Sequence, residues 1–241
     1  MSDVAITIKN LNVRYKEHKS YSVKKMFFAG KKRKVKSFHA LKDLSIDVET
    51  GEILGIVGKN GSGKSTLLNT VAGIFAPDSG IVDLHGNDVS LLSLGVGFKA
   101  NLSGRENIIL NGLLLGFSEK EIHERINDII EFSELGDFID KPVKTYSKGM
   151  YSKLAFSITA FLETNIILID EVFSVGDEHF KKKSSKKMKQ LISEDNRTVL
   201  IVSHSLSTLR KLCTKVLWLH EGEVKMIGDA ETVLDEYERF M

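Results

Sequence analysis

Residues 58–65 read Gly58-Lys59-Asn60-Gly61-Ser62-Gly63-Lys64-Ser65, and this order matches the phosphate-binding loop pattern G-x-x-x-x-G-K-[ST]. The apolar run 53–57 before it is typical of a buried strand, and residues 66–72 after it have helical periodicity. Glycines allow a backbone cup whose N–H groups point inward, and the helix start adds a positive dipole end. The sequence therefore predicts that residues 58–65 and Thr66 bind a nucleoside triphosphate. Lys64 would reach the β- and γ-phosphates, and the Ser65 hydroxyl would hold Mg²⁺.

The bulk composition excludes several classes of protein. The chain has 241 residues and a formal net charge of +2, a near balance that does not indicate a nucleic-acid partner. Its one cysteine, Cys213, excludes an internal disulfide framework and favours a reducing cytosol. No apolar run approaches the roughly 18 residues of a membrane-spanning helix. We therefore expect a chain that does not cross a membrane itself, although it could lie against one.

Strand and helix patterns alternate at both ends of the chain, whereas the middle third is helical. This order predicts an α/β fold with a mostly parallel sheet and helices on both faces. We expect one domain, with 1–97 and 165–241 as the catalytic core and 98–164 as the helical part. The predicted strands are 4–13, 44–48, 53–57, 81–84, 166–169, 198–202 and 215–219, and the turn 221–223 starts a last hairpin. The predicted helices are 66–72, 105–116, 118–132, 147–163, 180–192, 205–213 and 231–240.

Two basic segments stand out. Residues 16–37 look like an insertion between strands and contain five cations within residues 31–36, next to Met26, Phe27 and Phe28. This segment is either a solvated hairpin or a surface for anionic lipid head groups or an anionic substrate. The lysines between 181 and 189 are most simply a solvated helix face.

Polar residues that follow two further strands complete a candidate site. Asp170 ends an apolar run, where it is placed to bind Mg²⁺, and Glu171 next to it could polarise the attacking water. His204 follows strand 198–202, and neighbouring strand ends converge at one edge of such a sheet. It could therefore hydrogen-bond the γ-phosphate. Ser147 and Gly149 open the helix from 147 and form another anion-ready helix start.

The order of phosphate loop, serine–glycine helix start, Asp170-Glu171, Asp177 and His204 resembles ABC-type ATPase subunits over essentially the whole chain. The resemblance implies a P-loop NTPase fold with a mostly parallel core sheet, an antiparallel β part and an inserted helical subdomain. It also implies a head-to-tail homodimer that sandwiches ATP. In that arrangement Ser147 and Gly149 contact the γ-phosphate of the other copy, Lys148 adds a cation there, and Asp177 touches the opposite phosphate loop. The resemblance also implies an aromatic residue stacked on adenine, with Tyr15 as the first choice and Phe38 as the reserve.

The sequence departs from that family pattern in the signature, which reads Tyr146-Ser147-Lys148-Gly149-Met150, and in Lys99, which stands about where a glutamine is usual. The inserted basic segment is the third departure. The signature, the loop Ser174-Val175-Gly176-Asp177 and the inserted basic segment together resemble exporters of lipid-linked polysaccharides. Within that class, residues 130–136 and 213–218 most resemble the wall teichoic acid exporters. Because the chain ends at Met241 directly after the closing helix, we expect no appended sugar-binding domain.

The resemblance implies a peripheral subunit at the cytoplasmic face of a bacterial membrane, bound to two copies of an integral membrane permease. The exported molecule would be an anionic polysaccharide on a polyisoprenoid diphosphate, handled through the permease. An O-antigen or capsule exporter is the alternative within this class. Two other classes remain, a soluble ABC ATPase acting on ribosomes or DNA and a non-hydrolysing regulatory module. Members of the first class typically have tandem cassettes or a long coiled-coil insertion, and we see neither in this sequence. Glu171 argues against the second class.

Overall fold

A computed structural model describes residues 3–16, 37–92, 97–162, 164–170, 177–193 and 197–241, without the side chains of 92, 192 and 193. The predicted catalytic residue Glu171 and the basic segment 31–36 lie outside the described residues. Among the residues that are described, no helix is both long enough and apolar enough to span a bilayer.

Two β-sheets build the fold. A three-stranded antiparallel sheet has the order β2-β1-β4, and a six-stranded sheet has the order β5-β6-β7-β3-β8-β9, parallel except for β9. The strands are β1 Val4–Lys16, β2 Ser37–Glu49, β3 Ile53–Val57, β4 Ser79–Asp83, β5 Val89–Leu92, β6 Ile166–Asp170, β7 Thr198–Val202, β8 Lys215–His220 and β9 Glu223–Asp229. The predicted α/β fold with a mostly parallel core sheet and an antiparallel part is confirmed.

The helices lie close to their predicted positions. They are α1 Lys64–Val71, α2 Gly104–Leu114, α3 Glu119–Ser133, α4 Lys148–Phe161, α5 Glu178–Ser193, α6 Leu206–Leu212 and α7 Ala230–Phe240, with 3₁₀ turns at Gly136–Asp140 and Val143–Thr145. Local signals explain their starts. Ser103 and Ser118 form capping boxes with Glu106 and Glu121, which satisfy backbone N–H groups at the first turns of α2 and α3.

Three hydrophobic clusters hold these elements together. Because side chains alternate along a strand, β3 contributes Val57 to one cluster and Leu54 and Ile56 to another. The second of these clusters lies between the two sheets and includes α1. The third draws all its members from residues between Phe98 and Leu162. That composition is what the proposed helical part 98–164 would require, although the division of the chain stays a proposal.

Three strands differ from the sequence prediction. The strand expected at 44–48 begins at Ser37, and the strand expected at 4–13 continues to Lys16, so the two form a longer ribbon. Strand β5 was not predicted at all. Its polar Ser90 is buried, so the strand lacks the continuous apolar run of the other core strands.

Candidate nucleotide-binding site

The loop 58–63 joins β3 to α1 in a conformation that requires glycine. Gly58 and Gly63 have φ values of 154° and 106°. A Cβ at Gly58 would lie 2.3 Å from the Leu219 carbonyl oxygen, and one at Gly63 would lie 2.6 Å from the Ala40 carbonyl oxygen. Both contacts are with backbone, which cannot move aside as a flexible side chain could. Glycine is therefore required at positions 58 and 63, which are the two glycine positions of the phosphate-binding loop pattern.

The polar groups of this loop fit an anionic phosphate. The Lys64 ammonium is buried and donates to the carbonyl oxygens of Gly58 at 2.7 Å and Lys59 at 3.1 Å. The Ser62 hydroxyl is buried and has no hydrogen-bond partner among the described residues. Within the described part of the chain, helix α1 has no side-chain cap hydrogen bond, and its first turn contains no acidic residue. An unpartnered hydroxyl beside an ammonium and an uncapped helix start is a suitable setting for phosphate oxygens.

Two aromatic residues border the loop. A pocket of about 340 Å³ is lined by Phe38, Ala40, Asn60, Gly61, Gly63, Lys64, Ser65 and Thr66. Tyr15 lies opposite Phe38 in the β1–β2 pairing, and its hydroxyl is 3.1 Å from the Thr66 hydroxyl. Its ring meets Phe75 edge-on, with a centroid distance of 5.9 Å. The structure thus brings both adenine-stacking candidates to the loop, and of the two Phe38 lines the pocket.

The carboxyl ends of β6, β7 and β3 bring the other site residues to the same edge. Asp170 ends β6 and is aligned with Val202, the last residue of β7. His204 follows β7 by two positions and is exposed. Since β7 is the neighbour of β3, the phosphate loop leaves the sheet at this edge too. No cluster of three or more His, Cys, Asp or Glu suited to a metal occurs in the described part of the chain. The hydroxyl of Ser65 and the carboxylate of Asp170 are the oxygen ligands that Mg²⁺ prefers, so both stay the predicted ligands.

The signature residues open α4 on the helical part of the fold. The Ser147 hydroxyl caps the helix by accepting from the Met150 amide at 3.2 Å, and Ser147 and Lys148 are exposed. Among the residues that the structure describes, a Cβ at Gly149 would have one neighbour within 4 Å, the Ser147 hydroxyl at 3.8 Å.

The unusual tyrosine of the signature anchors this helix start. The Tyr146 hydroxyl donates to the Phe138 carbonyl oxygen at 2.7 Å. A Cβ at Gly104 would lie only 2.4 Å from that hydroxyl. Burial raises the pKa of Tyr146, which keeps the phenol protonated as a donor. Tyr146 therefore packs within the helical part and fixes the residue next to Ser147.

Asp177 has partners within its own chain. Its Oδ1 accepts from the Phe180 amide at 2.9 Å and so caps α5, while its Oδ2 lies 2.7 Å from the Lys153 ammonium. The Lys153 hydrogen bond, together with the Phe180 amide, lowers the pKa of Asp177 from 3.8 to about 2. The contact with Lys153 was not predicted from the sequence.

Sequence reasoning also missed Asn107, a fully buried residue of α2. Its Oδ1 accepts from the Lys99 amide at 2.8 Å, and its Nδ2 donates to the carbonyl oxygens of Lys99, Leu102 and Ser103 at 3.1, 3.2 and 2.8 Å. One side chain thus fixes the backbone of the segment in which Lys99 replaces the usual glutamine. The available signal was a lone asparagine four residues after the Ser103 cap.

Comparison with known proteins gives consistent results. A family profile described as ABC transporter matches residues 41–174. The teichoic acids export ATP-binding protein TagH of Lactococcus lactis is 48% identical over 206 residues, covering 86% of this chain and 44% of that protein. TagH of Staphylococcus haemolyticus is 41% identical and covers 99% of this chain and 89% of that protein. The O-antigen export system ATP-binding protein RfbB of Klebsiella pneumoniae is 43% identical, covering 86% and 84%.

Solved structures share the fold at lower identity. An ATP-binding subunit of an ABC transporter superimposes with a TM-score of 0.74 at 21% identity, covering 97% of this chain and 93% of the other. A dimeric ATP-binding cassette in a post-hydrolysis state with ADP and Pi bound gives a TM-score of 0.72 at 22% identity, covering 93% and 98%. The chain spans about half the length of several curated relatives, 44% and 48% for two TagH proteins. The expected family is nevertheless confirmed: this chain is a member of the ABC transporter ATP-binding family.

Proposed function

We propose that this chain is the ATP-hydrolysing subunit of an ABC transporter that exports polyisoprenoid diphosphate-linked polysaccharide, with wall teichoic acid as the first candidate. The observation that carries the proposal is the phosphate loop with its buried Lys64 and unpartnered Ser62 hydroxyl, next to the sheet edge that holds Asp170 and His204. The export role is supported by the TagH relatives, since this chain matches 89% of the length of one of them.

Each residue at the sheet edge has a proposed task. The loop 58–66 and Lys64 bind and orient the phosphates, and Ser65 and Asp170 hold Mg²⁺. Bound there, Mg²⁺ would supply positive charge to the phosphate oxygens. Glu171 accepts the proton of the attacking water, and His204 holds the γ-phosphate and that water in line with Glu171. Tyr15 remains the proposed adenine-stacking residue, with Phe38 as the second choice.

The site is proposed to be completed by a second copy of the chain. Ser147, Lys148 and Gly149 would meet the γ-phosphate bound by the partner, and Asp177 would approach the partner's phosphate loop. The exposure of Ser147 and Lys148 at a helix start supports this arrangement, because such a start attracts anions. A head-to-tail dimer closed by ATP and opened after hydrolysis would act as the motor.

A pocket lined by apolar and polar residues offers a place for the membrane permease, two copies of which would complete the transporter. The pocket has a volume of about 500 Å³ and includes Ile74, Phe98 and Leu114. The apolar segment 113–117 can either contact the permease or pack within the helical part, and Leu113 and Leu114 are 46% and 66% exposed. Leu115 and Phe117 do pack against the helical cluster, which leaves the two exposed leucines as the proposed permease contact. In this proposal the subunit lies peripherally at the cytoplasmic face of the membrane.

The decisive test of hydrolysis is the Glu171→Gln variant. With Mg²⁺ and ATP it should bind nucleotide, form a stable dimer by light scattering and stop releasing phosphate. A variant that still hydrolyses ATP at the parental rate would refute the role of Glu171 and with it the motor proposal. A variant that stays monomeric would refute the sandwiched dimer.

The polymer is tested separately, by identifying the permease that copurifies with the chain and the glycan whose export it supports. A permease dedicated to O-antigen or capsule would favour the second candidate, which the RfbB relatives also support. Neutralising the cations of 31–36 tests whether this segment contacts lipid or substrate. Unchanged export would discard that idea.

A further inference from the structure

Lys153 connects three separate elements of the fold. It lies on α4, and its ammonium is 2.7 Å from Asp177 Oδ2 and 3.4 Å from Glu134 Oε2. Its side chain is only 14% exposed and extends over the ring of Phe180, 5.1 Å from the centroid. Glu134 ends α3 in the left-handed conformation, with φ of 56°, so its carboxylate is held at a fixed helix end. The lysine thus ties α3, α4 and the start of α5 together.

Both oxygens of Asp177 are engaged, one by Lys153 and the other by the Phe180 amide. Phe180 is itself fully buried and packs against Phe132 and Phe156. Burial opposes the charge on Lys153, but Asp177 and Glu134 outweigh it and raise the pKa of Lys153. The Lys153–Asp177 pair is therefore charged at neutral pH, and its geometry is defined, unlike that of most exposed ion pairs.

We propose that Lys153 is a positioning residue for ATP hydrolysis, which fixes the Asp177 carboxylate to the helix that presents Ser147. This inference rests on the proposed function, in which Ser147 meets the γ-phosphate bound by the partner and Asp177 approaches the partner's phosphate loop. Ser147 caps the helix on which Lys153 lies six positions later, a rise of about 9 Å along one rigid element. When α4 moves, Lys153 moves Asp177 with it, so the two contacts form together.

The matched control is Lys183, which contacts Glu134 Oε1 at 2.8 Å together with the carbonyl oxygen and ring of Phe132. Lys153→Ala and Lys183→Ala each remove one ammonium from the Glu134 carboxylate, but only the first removes the Asp177 partner. We expect Lys153→Ala to lower kcat about fivefold with KM changed less than about twofold, as for a lost transition-state contact. Lys183→Ala should retain kcat, and Lys153→Arg should restore most of it. The double variant Lys153→Ala/Asp177→Asn should be no slower than Asp177→Asn alone.

Hydrogen exchange in the nucleotide-free protein gives a readout that does not depend on hydrolysis. The amides of Phe180 and Lys181, both bonded to Asp177, should exchange faster in Lys153→Ala than in Lys183→Ala. Equal exchange, unchanged kcat in Lys153→Ala, or additive losses in the double variant would each overturn the proposal. A parental chain that binds ATP without hydrolysing it would instead refute the proposed function, while the exchange result would still report on the link.

Discussion

Replacing Ser147 with alanine separates helix stability from nucleotide chemistry, because Ser147 is both a helix cap and a proposed γ-phosphate ligand. As a cap it accepts one hydrogen bond, from the Met150 amide at 3.2 Å. Losing such a cap costs about 1 kcal/mol. Since natural domains are stable by about 5–15 kcal/mol, more than about 99% of the molecules would remain folded. Unfolding therefore cannot account for a large loss of activity.

As a ligand Ser147 would contribute much more. A hydrogen bond to a charged group is worth about 1.5–3 kcal/mol, so its loss in the transition state lowers kcat by roughly 10- to 100-fold. The assay is phosphate release at saturating Mg²⁺ and ATP, with the melting temperature of each variant measured in parallel. We expect a large loss of kcat together with a drop in melting temperature of about 2–4 °C.

Ser118→Ala is the control, because Ser118 caps α3 in the same helical part of the fold. Its hydroxyl accepts from the Glu121 amide and donates to the Glu121 carboxylate at 2.6 Å, so its removal costs at least as much stability. Ser118 has no proposed contact with nucleotide, so the kcat of Ser118→Ala should stay near the parental value. Equal kcat losses in the two variants would refute the proposed role of Ser147, as would a Ser147→Ala enzyme with parental kcat.

Three shorter predictions concern the loop, the thiol and the ion pair. Gly63→Ala should abolish nucleotide binding in a fluorescence titration, because its Cβ would lie 2.6 Å from the Ala40 carbonyl oxygen. Gly73→Ala is the control, since Gly73 also has a positive φ but no described atom would lie within 4 Å of its Cβ. This control should bind nucleotide normally. Burial raises the pKa of Cys213 to about 12, so labelling of this thiol at pH 8 should be slow. Labelling should accelerate only as denaturant unfolds the chain. Fast labelling of the folded protein would contradict the structure. The pKa of Asp177 falls from 3.8 to about 2 on folding, so its contribution to stability is present above pH 3.8 and is lost as pH falls through 2. Asp177→Asn should therefore weaken the acid dependence of unfolding in that window, measured by circular dichroism.

The sequence predicted best those features that are local in the chain. The phosphate loop needs eight consecutive residues, and its strand and helix flanks carry their own periodicity. The capping boxes at Ser103 and Ser118 likewise lie within four residues. Asp170 and His204 could be placed at one sheet edge because parallel strands expose their carboxyl ends together.

Features that depend on distant partners could not be predicted. Strand β5 was missed because Ser90 interrupts its apolar run, and the burial of that serine is satisfied by Thr164, 74 residues later, at 2.8 Å. The same holds for the Lys153–Asp177 pair, since a lysine within a helix is usually read as a solvated residue. Asn107 was missed because four backbone hydrogen bonds become visible only when the chain around Lys99 is folded back on α2.

The separation of the hydrophobic clusters is consistent with the proposal that one chain holds only half of each nucleotide site. The phosphate loop stands on the clusters of the core sheet, whereas Tyr146 and the start of α4 pack in the helical cluster. Phe161 packs against both the first and the third cluster, so the two parts meet across an aromatic junction. Packed interfaces of this kind favour discrete arrangements over continuous deformation. Lys153 lies at that junction, where its ammonium contacts the ring of Phe180 and the carboxylate of Asp177. A shift of the helical part would therefore move Asp177 together with Lys153.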